Sequence, residues 1–410
     1  MPEFLQLTPP DKALDRLLEH LSTQPVVEHV ALVDALDRVT AQPVVSAIAL
    51  PPFPRSTVDG YAVRAKDTHG ASESLPAYLK LAGEVPMGTQ APFELEAGCA
   101  ILIHTGGMLP THTDAVVMLE YTQQVAGLVE ILRPVAVGEN IIQAGEDVQP
   151  GEVVIPAGRR LRPQEIGGLA ALGITEVAVA VKLRVGILSS GDEIVPAMVE
   201  PGPGQVRDVN SYSLSALVQQ TGGEVVRYGI FPDELRPLLQ AAQRAIQECD
   251  IVVFTAGSSA SARDLTSQVI LQLGEPGILV HGVGVRPGKP TILAVCQGKA
   301  VIGLPGNPVS ALVIARMFLK PVIERSLGLS PTGYRSGVYA RLAVNLPSQA
   351  GREDWVPVRL ILTADGLKAE PIFSKSNLIF SLVRGDGLVR VSPDATGLTA
   401  NELVWVFPLD

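Results

Sequence analysis

"VRPGKPTILAVCQGKAVIGLPGNPVSALV", residues Val285 to Val313, contains two Pro-Gly turns that each adjoin an apolar run. Short continuous apolar runs bounded by turns are typical of buried strands. The first turn carries Arg286 and Lys289, and the second carries Asn307. Asn307 is followed by Pro308, an order typical of a helix start with Asn as the N-cap and Pro at the first helical position. The segment therefore predicts a cationic turn and a polar turn at the ends of buried strands.

Strands and helices alternate on the N-terminal side of this segment. From about residue 177, the predicted strands lie in "EVAVAVKLRVGILSSGDE", "EVVRYGI", "DIVVFTAG", "ILVHGVGV" and "AVIGLPG". The predicted helices lie in "NSYSLSALVQQTGG", with Asn210 as the N-cap, in "DELRPLLQAAQRAIQEC", capped by Asp233, and in "LTSQVILQLG". Alternation of this kind predicts a parallel sheet covered by helices on both faces. In such sheets, ligands bind beyond the carboxyl ends of the strands.

Polar turns follow the predicted strands, so the sheet would gather them on one edge. They are residues 189–193, 255–264, 286–289 and 305–310. Gly and Pro in these turns let backbone N–H groups approach an anion closely, and Arg286 and Lys289 add positive charge. Glu193 and Asp264 add carboxylates, which suit Mg²⁺ better than zinc. Cations, free amides and a metal site together indicate a phosphorylated ligand.

The composition is that of a globular protein with several domains. Its 410 residues are too many for one ordinary core, and 47% of them are apolar. Because the net charge is −10 and there is no long Lys/Arg run, we expect no nucleic-acid partner. No stretch reaches about 18 uncharged apolar residues, and the N-terminus predicts an amphipathic helix rather than a signal peptide, so we expect no membrane span and a cytoplasmic location. The three cysteines, Cys99, Cys249 and Cys296, are too far apart to indicate a zinc site or a disulfide framework.

The rest of the chain is mostly β in character. Residues from about 24 to 180 are rich in Pro, Gly and short β-prone runs, with one helix predicted near Pro163 to Leu172. After about Ser326, strands are predicted in "VYARLAVNL", "WVPVRLIL", "KAEPIF" and "ELVWVFPL". A small β domain is therefore expected at the end of the chain.

Seven motifs occur in an order that points to one family. They are "RSTVDGYAV", "IHTGGMLPTHTDAVVMLE", "AGEDVQPGEVVIPAGRRLRPQEIGGLAALG", "VGILSSGDEIV", "DVNSYSL", "RPGKPT" and "GLPGNPVSA". As an ordered set they resemble the motifs of the molybdopterin molybdenumtransferase family, the MoeA-like proteins whose relatives include the gephyrin E domain. The resemblance covers nearly the whole chain.

The resemblance implies a multidomain α/β plus β fold. A central doubly wound parallel-sheet domain, MoaB/Mog-like, would lie between a β-rich N-terminal lobe and a small C-terminal β domain. We expect an N-terminal helix on the sheet domain (1–23), a linking domain (24–46 and 140–180), a β-rich inserted domain (47–139), the α/β molybdopterin-binding domain (181–325) and the C-terminal β domain (326–410).

The resemblance also implies the reaction and the residues that perform it. The enzyme, a transferase, would take adenylylated molybdopterin and molybdate with Mg²⁺ and release AMP. It would be a homodimer, working between an upstream adenylyltransferase and downstream molybdoenzymes. The implied catalytic residues are Asp59, Thr105, Asp147, Glu193, Asp233 and Asp264, of which Glu193 and Asp264 would hold the metal. The implied binding residues are Ser190, Gly191, Ser258, Ser259, Arg286, Gly288, Lys289, Pro305, Gly306, Asn307, Ser310, Arg352 and Ser376.

Three departures from the family pattern concern geometry more than chemistry. Ala256 and Ser261 replace usual glycines in the 256–264 loop, Arg286 replaces a lysine, and "HTDAV" replaces "GADAV". Two alternatives stay open: the adenylylation step that precedes molybdenum insertion, and a non-catalytic dimeric scaffold. The additional β domains disfavour the first, and the carboxylates at the predicted strand ends disfavour the second. The sequence does not distinguish molybdenum from tungsten.

Overall fold

The computed structural model describes residues 7–22, 24–91, 94–255, 260–329 and 337–409, but not the side chains of residues 260–264. These residues form a β-rich N-terminal lobe, a central α/β domain, here called the sheet domain, and a small C-terminal barrel. The predicted multidomain α/β plus β fold is confirmed. Across the described ranges, no helix has both the length and the apolar character needed to span a bilayer.

Short strands dominate the N-terminal lobe. Its elements are α1 (Pro10–Glu19), β1 (Val27–Ala31), β2 (Val44–Val45), β3 (Arg55–Ser56), β4 (Gly60–Val63), β5 (Ala77–Glu84), β6 (Cys99–Ile103), β7 (Ala115–Met118), β8 (Thr122–Val125), β9 (Leu128–Ile131), β10 (Ile141–Ile142), β11 (Val153–Ile155), α2 (Pro163–Ala171) and β12 (Glu176–Ala180). Strands β4 to β9 form one sheet in the order β7-β4-β6-β5-β9-β8. Both faces of this sheet are buried: Val63 and Ala100 belong to one apolar core, and their neighbours Ala62 and Ile101 belong to another.

Two strand pairs join the beginning and the end of this lobe. β1 lies antiparallel to β12, and β2 lies antiparallel to β11, so the β4–β9 sheet is an insertion between them. α2 lies at the position predicted for a helix, and its Leu169 packs in the core of this linking region. α1 packs elsewhere, because its buried Ala13 and Leu17 belong to the main core of the sheet domain.

The sheet domain alternates strands and helices. Its elements are β13 (Arg184–Ser190), β14 (Ile194–Val195), β15 (Val206–Arg207), α3 (Asn210–Thr221), β16 (Glu224–Phe231), α4 (Leu235–Glu248), β17 (Ile251–Thr255), α5 (Ala260–Ile270), β18 (Pro276–His281), β19 (Val285–Arg286), β20 (Ile292–Cys296), β21 (Lys299–Leu304), α6 (Pro308–Ile314) and α7 (Lys320–Ser326), with a π-helical turn at Ala315–Leu319. The sheet order is β16-β13-β17-β21-β20-β18. Side chains of α3 and α6 cover one face, and those of α4 and α5 cover the other. The predicted doubly wound arrangement is confirmed.

One strand of this sheet runs against the prediction of a parallel sheet. β13, β16, β17 and β21 are parallel, but β20 is antiparallel to both of its neighbours. The cause is local: Gln297 and Gly298 alone connect β20 to β21, with φ angles of 54° and 76°. A two-residue turn with positive φ at both positions joins antiparallel strands, whereas a parallel pair needs a long crossover. Because β18 is antiparallel to β20, it runs with the other four strands, and its C-terminal turn lies on their shared edge.

Two predicted helix caps are wrong. Asn210 lies inside the first turn of α3, where its Nδ2 donates to the Gly306 carbonyl at 2.9 Å. Asp208 takes the capping role, because its Oδ1 accepts a hydrogen bond from the Ser211 N–H at 3.0 Å. Asp233 lies before the capping position of α4 and does not cap that helix. Its carboxylate is therefore available to the loop that follows β13.

Five strands of the C-terminal domain close into a barrel. The elements are β22 (Val338–Leu342), β23 (Leu346–Pro347), β24 (Glu353–Thr363), β25 (Gly366–Pro371), α8 (Phe380–Val383), β26 (Gly387–Val391), β27 (Gly397–Leu398) and β28 (Leu403–Pro408). The ring runs β24-β25-β22-β28-β26 and returns to β24. β19 of the sheet domain joins β24 in parallel, with Arg286 opposite Asp354. A backbone ladder thus connects the cationic turn to the barrel.

Candidate active site

A cavity of about 800 Å³ lies between the sheet domain and the barrel. The sheet domain contributes the turn before β20 and the turn between β21 and α6, and the barrel contributes residues from the 346–357 and 372–376 segments. The lining includes eight of the predicted binding residues: Arg286, Gly288, Lys289, Pro305, Asn307, Ser310, Arg352 and Ser376. The two Pro-Gly turns therefore face one common space.

Positive charge dominates the cavity wall. Arg286, Lys289, Arg352 and Lys375 contribute four cations to the described lining, and Asp354 contributes one carboxylate. The chain as a whole carries a net charge of −10, so the cavity is a local positive region in an acidic protein. Within the described part of the chain, neither the Lys289 nor the Lys375 ammonium has an ion-pair or hydrogen-bond partner. Such a wall favours an anionic ligand.

Asn307 joins the start of α6 to the barrel. Its Nδ2 donates to the Ser376 Oγ at 3.0 Å, and the Val309 N–H donates to the Ser376 carbonyl at 3.1 Å. α6 begins at Pro308 with Asn307 in the capping position, as predicted, but the Asn307 side chain does not bond to its own helix. Ser376 is therefore held at the cavity wall by two contacts with α6.

A group of carboxylates lies at the end of β13. The Asp233 N–H donates to the Asp192 Oδ1 at 3.1 Å. Burial raises the pKa of Asp233 above its ordinary value, and the charges of Asp192 and Glu193 raise that pKa further. The Asp233 Oδ1 is buried and has no hydrogen-bond partner in the described residues. A cation at this position would offset the repulsion and satisfy the unpartnered oxygen.

These carboxylates fit Mg²⁺ held jointly with a substrate. Hard divalent cations prefer carboxylate oxygens, and Mg²⁺ usually takes one or two of them and completes its shell with phosphate oxygens and water. Among the described side chains, no three His, Cys, Asp or Glu groups lie close enough to hold a metal by themselves. Ser258 and Ser259 lie outside the described residues, and so does the side chain of Asp264, the second predicted metal ligand.

Asp59 and Thr105 form a separate pair in the N-terminal lobe. The Asp59 Oδ1 accepts hydrogen bonds from the Thr105 N–H at 2.8 Å and from the Thr105 Oγ1 at 3.1 Å. These bonds, the backbone bond first, hold the pKa of Asp59 below its ordinary value. His104 lies 3.8 Å from the same oxygen and contacts Glu84 through its Nε2 at 2.9 Å. Neither Asp59 nor Thr105 lines the cavity of its own chain.

Four further predicted residues, all within the described ranges, do not line the cavity. Ser190 is buried at the end of β13, and Gly191, with a φ of 150°, connects it to the carboxylates. Gly306 lies in the β21–α6 turn, where its carbonyl accepts a bond from the Asn210 side chain. Asp147 is exposed in the N-terminal lobe.

Three family models match successive parts of this chain. The MoeA N-terminal region (domain I and II) matches residues 8–173, the "Probable molybdopterin binding domain" matches residues 186–325, and the MoeA C-terminal region (domain IV) matches residues 339–409. The molybdopterin molybdenumtransferase of Nostoc sp. is 35% identical over 400 residues, which cover 96% of this chain and 91% of the relative. The chain belongs to the MoeA family.

Further relatives in the MoeA family match over the full length. The molybdopterin molybdenumtransferase of Haemophilus influenzae is 31% identical over 403 residues, 98% of each chain. The crystal structure of the molybdopterin biosynthesis moeA protein from Pyrococcus horikoshii OT3 superposes with a TM-score of 0.86 at 33% identity, over 98% of this chain and 99% of that one. The resemblance inferred from the motifs is confirmed, and the chain is an enzyme of molybdenum cofactor biosynthesis.

Sequence reasoning missed most of the barrel side of the cavity of this MoeA-family protein, including Asp354, Lys375 and Ser348. Asp354 lies two positions after the predicted binding residue Arg352, and this closeness in sequence was the signal that could have found it. Lys375 directly precedes Ser376. Ser348 lies before β24 and carried no signal, because only the fold brings it to Asp354.

Proposed function

We propose that this protein inserts molybdate into adenylylated molybdopterin, with Mg²⁺-dependent release of AMP. The observation that carries the proposal is the cavity between the sheet domain and the barrel. Its described lining presents four cations and one carboxylate in a chain of net charge −10. Its volume of about 800 Å³ lies within the range of small-molecule sites. Two full-length relatives named molybdopterin molybdenumtransferase support the same activity.

Each group of side chains has a role in this proposal. Lys289 and Arg286 bind the phosphate groups, and the Pro-Gly turns bring backbone N–H groups to the same ligand. Glu193, Asp233 and Asp264 would hold Mg²⁺. When bound, this ion would supply positive charge that stabilises the phosphate groups of the substrate. The protein thus acts by positioning and electrostatic stabilisation rather than through a covalent intermediate.

The catalytic unit in this proposal is a cytoplasmic homodimer. Asp59 and Thr105 form a hydrogen-bonded pair but do not line the cavity of their own chain. Because the family resemblance implies a homodimer and a catalytic role for both residues, we infer that they act at the cavity of a second copy. Each site would then combine the N-terminal lobe of one subunit with the sheet domain and barrel of the other.

The test is to incubate the purified protein with adenylylated molybdopterin, Mg²⁺ and either molybdate or tungstate, and to follow AMP. AMP release that depends on the oxyanion supports the proposal, and the better of the two oxyanions identifies the metal. Formation of adenylylated molybdopterin from ATP, without oxyanion-dependent AMP release, would assign the preceding adenylylation step instead. Binding of the substrate with no turnover would indicate a scaffold.

A further inference from the structure

Asp354 is the single carboxylate among the described residues of the cavity wall, and its side chain is only 5% exposed. Its Oδ2 lies 3.5 Å from the Arg286 Nη1, and its Oδ1 lies 3.6 Å from the Arg352 Nε. The Ser348 hydroxyl donates to the Oδ2 at 2.8 Å. One buried carboxylate therefore lies between two of the four cavity cations and is held by a neutral donor.

Asp354 and Arg352 lie close together without forming a hydrogen bond. The Arg352 Nε and the Asp354 Oδ1 are both buried, and neither has a hydrogen-bond partner among the described groups. Their separation of 3.6 Å exceeds the hydrogen-bond range. Leaving both groups unpaired is unfavourable, so a small movement of Arg352 toward Asp354 satisfies two polar atoms at once.

The contact with Arg286 is set by the backbone. β19 and β24 pair in parallel, with Arg286 directly opposite Asp354. The Arg286 side chain is 58% exposed, so a guanidinium accessible to solvent lies beside a buried carboxylate. A carboxylate that occupies one edge of a guanidinium leaves its other N–H groups free to bind an anion.

We propose that Asp354 is a positioning residue that orients Arg286 and Arg352 toward the anionic substrate. The inference rests on the proposed function for the identity of that substrate. It does not require Asp354 to touch the substrate or to transfer a proton.

Removal of the Asp354 charge distinguishes positioning of the arginines from simple Coulomb attraction, because the two predict opposite changes in the affinity for an anion. Asp354→Asn raises the net positive charge of the cavity, so Coulomb attraction alone predicts tighter binding of an anion. If Asp354 orients the two arginines, the same substitution weakens binding.

Isothermal titration calorimetry of the full chain with inorganic pyrophosphate at low salt measures this change in affinity. We expect Asp354→Asn to weaken binding about tenfold, as for a lost hydrogen bond to a charged group. Asp354→Glu, which keeps the carboxylate, should recover much of the affinity. Unchanged or tighter binding by a folded Asp354→Asn protein would overturn the inference.

Glu353→Gln is the matched control. Glu353 is also buried, on the same strand, but it pairs with Arg390 and Trp355 and does not line the cavity. We expect this variant to lose stability and to keep its pyrophosphate affinity. An equal loss of affinity in Glu353→Gln would mean that any damage to β24 weakens the site, and would remove the special role of Asp354.

Ser348→Ala covers the case in which Asp354→Asn does not fold. It leaves the carboxylate in place and removes only the bond that holds it, so we expect a smaller loss, about threefold. Unchanged affinity would contradict positioning. A parent protein that binds no pyrophosphate would instead contradict the phosphate site of the proposed function, a result separate from any difference between variants.

Discussion

Lys289 combines a fixed backbone with a free side chain. Its carbonyl accepts a hydrogen bond from the Val283 N–H at 3.0 Å, and its exposed ammonium points to no partner among the described residues. Lys289→Ala should therefore change the free energy of unfolding by less than about 0.5 kcal/mol. Loss of a charged hydrogen bond to phosphate should weaken binding of the adenylylated pterin about 10- to 100-fold, and less so at high salt because charges are screened.

The measurement is a titration of adenylylated molybdopterin at low and at high salt. Lys12→Ala, on the exposed face of α1, removes the same charge without touching the cavity. It should bind as the parent does. Equal affinity of Lys289→Ala and the parent at low salt would show that Lys289 does not bind the phosphate.

Asp233 should lower the stability of the folded protein while contributing to Mg²⁺ binding. Since the pKa of Asp233 is raised in the folded state, its ionised carboxylate lowers the free energy of unfolding at pH values above that pKa. This loss of stability disappears when the pH falls below the ordinary pKa of an Asp side chain. Asp233→Asn should therefore raise the free energy of unfolding at pH 7 by up to about 1 kcal/mol, with the gain lost near pH 3. Denaturant unfolding at both values tests this. A gain in stability that does not depend on pH would rule out charge repulsion as the cause. In the activity assay, the same variant should need a higher Mg²⁺ concentration for AMP release.

At the scale of secondary structure, Gly288 sets how closely the cationic turn packs on α6. Its φ is 123°, and a Cβ added there would lie 2.4 Å from the Ile314 Cδ1. Gly288→Ala should lower the free energy of unfolding by about 2–3 kcal/mol, from backbone strain together with overpacking. Denaturant unfolding measures the loss.

Gly298→Ala provides the control for backbone strain alone. Gly298, in the β20–β21 hairpin, has a φ of 76°, and a Cβ added there would lie in open space, with no heavy atom within 4 Å. We expect a smaller loss there, about 1 kcal/mol. Equal losses in the two variants would show that the contact between the turn and α6 contributes nothing.

At the scale of the whole molecule, a shared site predicts complementation. Asp59→Ala and Lys289→Ala homodimers should each be nearly inactive in AMP release, because every site lacks one group. After subunit exchange, each mixed dimer has one complete site, and random mixing should restore about a quarter of parental activity. If labelled subunits demonstrate exchange but AMP release does not recover, the shared site is contradicted. Asp59 and Lys289 would then act in the same chain's site, or Asp59 would have no role in the site.

Local patterns in the sequence were sufficient for much of the sheet domain. Apolar runs followed by Gly, Pro and Asn predicted its strands, and the alternation with helices predicted which edge would gather residues 189–193, 286–289 and 305–310. These signals work because strand ends, helix starts and tight turns depend on residues close together in the chain. The reversal of β20 was missed although its cause is local, because the Gln297-Gly298 turn interrupts a nearly continuous apolar stretch and contains neither Pro nor Asn.

The sequence by itself therefore determined most of the strands and helices of the sheet domain, the acidic character of the chain and the family motifs. It did not determine the barrel side of the cavity wall. That wall depends on the pairing of β19 with β24, which sets Arg286 opposite Asp354, and on the bond from Asn307 to Ser376. Only the tertiary structure decided these contacts, because strands and turns distant in sequence leave no periodic signal of their pairing. The positive charge of the cavity arises in the same way, from cations on two domains that the folded chain brings together.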